Sequence, residues 1–112
     1  MKDDRLYLIH IQECINRIES YIAECGRDNF FTSTLIQDAV IRNLQIMAES
    51  TQRLSDELKE SHPEIEWSKV SGFRNVLAHD YLGIDLSRIW LILEDELPIL
   101  KQTISAMIAE LG

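Results

Sequence analysis

With 112 residues, 46% of them hydrophobic and 27% charged, the chain has room for one domain around one core, and its composition is neither that of a disordered segment nor of a coiled rod. Net charge is −8, from 11 basic and 19 acidic residues, so long-range repulsion argues against non-specific binding to nucleic acid and any such activity has to come from a localised basic cleft. No apolar run approaches the roughly 18–20 residues of a membrane span, and Met1-Lys2-Asp3-Asp4-Arg5 lacks a signal peptide's apolar segment, so a cytoplasmic protein without a membrane partner is expected.

The apolar pattern is helical from end to end, and no strand is expected. A first helix over residues 4 to 25 carries Ile11, Cys14, Ile15, Ile18, Ile22 and Cys25 on one stripe, and Gly26 ends it. The two cysteines lack C-x-x-C spacing and fall on that stripe, which makes them reduced core thiols rather than a disulfide or metal site. A second helix is expected from Ser33 to Glu60, with Ile36, Val40, Leu44, Met47, Thr51, Leu54 and Leu58 inward. Thr34 and Gln37 have capping-box spacing at its start, with Thr32 a competing position, and His62-Pro63 closes it. A short third helix runs from Trp67 to about Ala78. Gly72 inside it points to close approach of a neighbouring helix or a ligand.

Leu82-Gly83-Ile84 reads as a turn, and Asp85 as the N-cap of a last helix using Leu86, Ile89, Trp90, Leu93, Leu97, Leu100, Ile104, Met107, Ile108 and Leu111. Pro98 is expected to kink that helix near Leu97 without ending it, because the apolar period resumes. Short connections favour antiparallel neighbours, hence a single all-α domain over 1–112: an up-down bundle of four main helices, the third short. Leu6, Leu8, Ile41, Ile46, Ile92 and Ile99 lie off the main stripes. That surplus of apolar surface points to a homodimer.

Chemistry concentrates in R-N-V-L-A-H-D-Y, residues 74–81. Arg74 is a permanent cation whose fork fits a phosphate, His79 can take and give a proton near neutrality, and Tyr81 offers a modifiable hydroxyl. On an ideal helix Arg74 and His79 lie about 140° apart, whereas Asn75 and His79 share a face. One phosphate can reach both only if the helix loosens near His79 or a second copy of the motif faces the first. Taken as bare residues, the same three also suit a salt bridge, a helix-end histidine and a half-buried tyrosine. His10 and His62 stand alone and read as surface or helix-end histidines, Trp67 and Trp90 as packing residues, and Glu94-Asp95-Glu96 as a solvated face. No Gly-rich phosphate loop or zinc spacing is present, so neither a metal nor a resident cofactor is expected.

The segment resembles the HEPN superfamily, and within it the HepT-like toxins of HepT–MNT toxin–antitoxin pairs. The family hallmark R-x4-H-x-Y is filled by Arg74, His79 and Tyr81. Similarity extends to H-P-E-I-E-W (62–67), to G-I-D-L-S-R-I-W (83–90) and to L-Q-I-M-A-E-S-T-Q-R-L-S (44–55), where Ala48 stands at a position that is typically glycine and Glu49 at the family's acidic position. The resemblance implies an all-α bundle that dimerises, bringing two Arg/His pairs into one cleft. It further implies a metal-independent endoribonuclease acting on RNA, tRNA foremost, with no DNA partner. Arg74 and His79 would be catalytic, Glu49 would hold the Arg74 fork unless it is a plain solvated carboxylate, and Asn75 would support the site. Tyr81 would be AMPylated by an MNT-type nucleotidyltransferase antitoxin, with ATP used by that partner as AMP donor. A second reading is a non-catalytic HEPN module that serves as the nucleotidyltransferase's nucleotide-binding and acceptor subunit.

Overall fold

The computed structural model describes residues 2–78 and 85–111, with the side chains of Lys2, Ser71 and residues 74–78 outside that description. Among the described residues every regular element is helical: α1 (Lys2–Thr32), α2 (Thr34–Gln52), α3 (Asp56–Glu60), α4 (Trp67–Ala78), α5 (Leu86–Leu91), a π-helical turn (Ile92–Glu96) and α6 (Leu97–Leu111). The most extensive packing is α1 against α2, and α4 and α6 lie against α2 and α1 respectively. Leu8, Ile11, Ile15 and Ile18 of α1, Val40, Leu44 and Met47 of α2, and Ile104 and Met107 of α6 meet in one buried cluster. No described helix is long and apolar enough to cross a membrane.

Gly26 interrupts α1 as expected, at φ 77° and ψ 169°, a region open essentially only to glycine. Helix then resumes through Thr32 instead of giving way to a loop. The reason is Phe30, which is fully buried with its ring 5.3 Å from that of Trp90. Ser33 is the N-cap of α2, its Oγ accepting the Ile36 N–H at 3.3 Å. The Thr34–Gln37 capping box does not form, because Gln37 Nε2 donates to the Phe30 carbonyl at 2.9 Å and so serves the end of the preceding helix.

The second helix expected over Ser33–Glu60 is two helices. α2 ends at Gln52, and Ser55 takes an extended conformation (φ −65°, ψ 150°) to cap α3. A tertiary contact holds this break: Asp4, buried near the start of α1, accepts from the Ser55 N–H at 2.8 Å and from its hydroxyl at 2.6 Å. Leu54 and Leu58 still face the core, so the apolar stripe crosses the break undisturbed.

The last rod behaves as Pro98 dictates. Its ring would clash with the carbonyl four residues back, and the helix responds with the π turn, in which the Leu97 N–H bonds the Ile92 carbonyl, five residues back. The apolar surplus is smaller than expected. Leu8 and Ile92 belong to the core and Ile41 and Ile46 are partly buried, which leaves Leu6, Leu35, Leu91, Ile99 and Leu111 as the exposed large apolar side chains.

Candidate functional site

The segment 74–81 begins on α4, so what positions α4 positions the site. At its start the Trp67 indole N–H donates to the carbonyls of Lys59 and His62, at 3.0 and 3.1 Å, tying the helix to the end of α3. Val70 and Phe73 are buried, and the helix lies on α2. Past the motif, the Asp85 carboxylate accepts from the Ser87 and Arg88 N–H groups at 3.1 and 3.3 Å and starts α5. The chain is therefore gripped on both sides of the motif.

Arg74 and Asn75 follow Phe73 on the backbone of α4. His79 and Tyr81, and the convergence expected of them with Arg74, lie outside the described residues. Glu49 is exposed on α2 and pairs with no described residue, while its neighbour Ala48 is fully buried. His10 is exposed beside Tyr7, as expected.

His62 is not a lone histidine. It is buried, with Nδ1 3.3 Å from Glu64 Oε2 and Nε2 3.1 Å from Glu110 Oε2, so it clasps the segment before α4 to the end of α6. Donation along both contacts needs both ring nitrogens protonated. The Glu64 carboxyl is held below its ordinary value, first by its own backbone N–H and then by the His62 ring. Trp67 and Trp90 are packing residues as expected, and the Arg27 guanidinium stands 5.0 Å from the centre of the Phe31 ring beside Trp90. Among the described residues no three His, Cys, Asp or Glu side chains cluster to hold a metal ion.

Two adjoining cavities run along α4. One, about 260 Å³, lies toward α6 and is lined by Glu64, Glu66, Lys69, Phe73, Glu96 and Ile99 among others. The second, about 230 Å³, is lined by Lys69, Gly72, Phe73, Arg88 and Ile92. Lys69 stands between them and pairs with Glu96 at 2.5 Å, which pushes the lysine's pKa up. Glu96 thus departs from the solvated acidic face expected of 94–96, whereas Glu94 and Asp95 are exposed. Gly72 meets no described atom within 4 Å of where a Cβ would sit. The neighbouring-helix explanation for this glycine is therefore not realised among the described residues, although it costs up to about 1 kcal/mol relative to alanine. Lys69 and Arg88 escaped attention in the sequence because 19 positions separate them; only the i, i+3, i+4 spacing of Lys69, Gly72 and Phe73 hinted at a shared face.

Residues 11–107 match the model of the family described as HepT-like, ribonuclease HepT-like. The chain belongs to the HepT-like ribonuclease family. Within it, the chain is 35% identical over 95 residues to a protein of Thermococcus cleftensis named probable ribonuclease HepT, covering 85% of this chain and 86% of that one. It is 38% identical over 110 residues to a protein of Methanocaldococcus jannaschii named gamma-glutamylcyclotransferase and putative RNase, covering 98% of this chain but only 50% of that longer protein. A putative RNase of Caldanaerobacter subterraneus is 31% identical over 109 residues, with 96% of each chain covered. No solved structure matches significantly. The HepT-like match spans all of R-x4-H-x-Y, so the three motif positions fall inside the region that defines the family.

Proposed function

We propose that this HepT-like chain is the toxin of a HepT–MNT type pair: a dimeric, metal-independent endoribonuclease that cuts RNA, tRNA foremost, through Arg74 and His79. The observation that carries the reading is the intact R-x4-H-x-Y motif inside a family match covering residues 11–107. In the dimer, two copies of the motif share one cleft, which removes the difficulty that Arg74 and His79 sit on different helix faces. His79 of one copy takes the proton of a ribose 2′-hydroxyl, whose oxygen attacks the adjacent phosphorus. The bond to the 5′-oxygen breaks, and His79 of the other copy returns a proton to that leaving oxygen. A 2′,3′-cyclic phosphate and a 5′-hydroxyl result, with no water consumed. Arg74 neutralises charge building on the phosphoryl oxygens, and Glu49 and Asn75 support it and His79.

Tyr81 is the acceptor of AMP from the nucleotidyltransferase antitoxin, which draws it from ATP. An anion and a bulky nucleotide at the cleft mouth then repel RNA by charge and by volume. The net charge of −8 favours one other reading, the non-catalytic acceptor subunit, in which Arg74 and His79 grip nucleotide phosphates. Incubating purified protein with total tRNA and chelator, then sizing the products, separates the two. Cleavage abolished by Arg74→Ala or His79→Ala, with the dimer intact, supports the nuclease; full cleavage by either variant removes the assignment. Intact mass after co-expression with the nucleotidyltransferase tests the modification, and AMP increments that survive Tyr81→Phe would exclude Tyr81 as acceptor.

A further inference from the structure

We propose that the cavity between α4 and α5, lined by Lys69, Gly72, Phe73, Arg88 and Ile92, is a phosphate subsite that holds single-stranded RNA beside the linkage to be cut. The proposal rests on the ribonuclease reading for its biological sense, but its binding chemistry can be tested without cleavage.

Four observations converge on this cavity. The Arg88 guanidinium has five donors and engages none of the described side chains, in a chain whose acidic residues outnumber its basic ones 19 to 11. Lys69 faces the same space, and its ion pair with Glu96 is an exposed one that an incoming phosphate can replace. The carboxylate nearest Arg88 in sequence, Asp85, is committed to the N–H groups that start α5. Finally, Gly72 opens the wall between the two cations without serving any packing contact among the described residues. A site with two cations, an apolar floor of Phe73 and Ile92, and room left by a glycine suits a phosphodiester with its sugar. Arg74 follows Phe73 directly along α4, so a strand running through the cavity passes toward the motif.

The test uses a ribo-oligonucleotide with 2′-O-methyl groups, which lacks the attacking hydroxyl, so affinity is read by fluorescence anisotropy whether or not the protein cuts. Arg88→Ala should weaken binding about tenfold, the size of a lost charge-assisted hydrogen bond, and lower the salt slope by about 0.7. Gly72→Leu should block the cavity to a similar degree while leaving helicity by circular dichroism intact. Glu96→Gln should tighten binding, since it frees Lys69, a gain that a merely structural role would not produce. On cleavable RNA, Arg88→Ala should raise KM with kcat retained. Arg88-dependent binding without any cleavage upholds the subsite and refutes the nuclease. Cleavage with unchanged affinity and KM in Arg88→Ala and Gly72→Leu overturns the subsite and leaves the nuclease standing. A change of mass in sedimentation with unchanged RNA affinity also overturns it, because the cavity then belongs to an interface between copies.

Discussion

Cys14 shows how a single side chain's surroundings decide its chemistry. Burial raises its thiol pKa, with Arg17 opposing and Glu13 adding to the shift, so the nucleophilic thiolate is scarce at neutral pH. Cys25 is only half-buried, on the turn before Gly26. Folded protein treated with a thiol reagent at neutral pH should therefore label at Cys25 well before Cys14, and equal labelling of both should require denaturant; mass spectrometry of timed aliquots reads the order. Asp4 makes a sharper case, because its carboxylate satisfies both polar groups of Ser55. Asp4→Ala leaves that N–H and hydroxyl without their partner and should cost about 1–3 kcal/mol. Urea denaturation should show it as a lower midpoint at unchanged m-value, with Asp4→Asn recovering part of the loss.

Elements, by contrast, are held in part by carboxylates whose charge answers to pH. The Glu64 pKa is depressed in the fold, so its contribution is present above the unfolded value of 4.5 and is lost as pH falls below it. The advantage of the native chain over Glu64→Gln in melting temperature should accordingly be found at neutral pH and vanish in acid. A constant advantage across that range would rule out the Glu64 carboxylate, held first by its own backbone N–H and then by the His62 ring, as its source. Local signals announced the elements they control: the Trp67 start, the Asp85 cap and the Pro98 distortion all stood where short-range rules put them. What stayed hidden depends on distant partners. The break at Ser55 answers to Asp4, 51 residues away, and His62 looked solitary because Glu110 lies 48 residues on. Of the candidate site, R-x4-H-x-Y was legible as a linear motif, whereas the Lys69–Arg88 cavity exists only once α4 and α5 are side by side.

At the scale of the whole molecule, charge sets two opposing salt dependences. Each copy carries −8, so two copies forming the proposed dimer repel one another over distances set by the Debye length. That length falls from about 10 Å at 0.1 M salt to about 3 Å at 1 M. In the proposed dimer the attraction would be apolar: Leu91 and Ile99, 55% and 62% exposed, lie on one rod across the π turn, and contacts of that kind are not weakened by screening. Raising salt should therefore strengthen dimerisation, read as a lower dissociation constant in sedimentation. RNA affinity should move the other way, because phosphate contacts release counterions on binding. Leu91→Asp combined with Ile99→Asp separates the terms by adding repulsion and removing apolar area, and should shift the chain to monomer at low salt. If the dimer loosens with salt as RNA binding does, ion pairs across the interface and not the exposed leucine and isoleucine hold the copies together. The acidic balance would then be offset at the interface by cations withheld from the cleft.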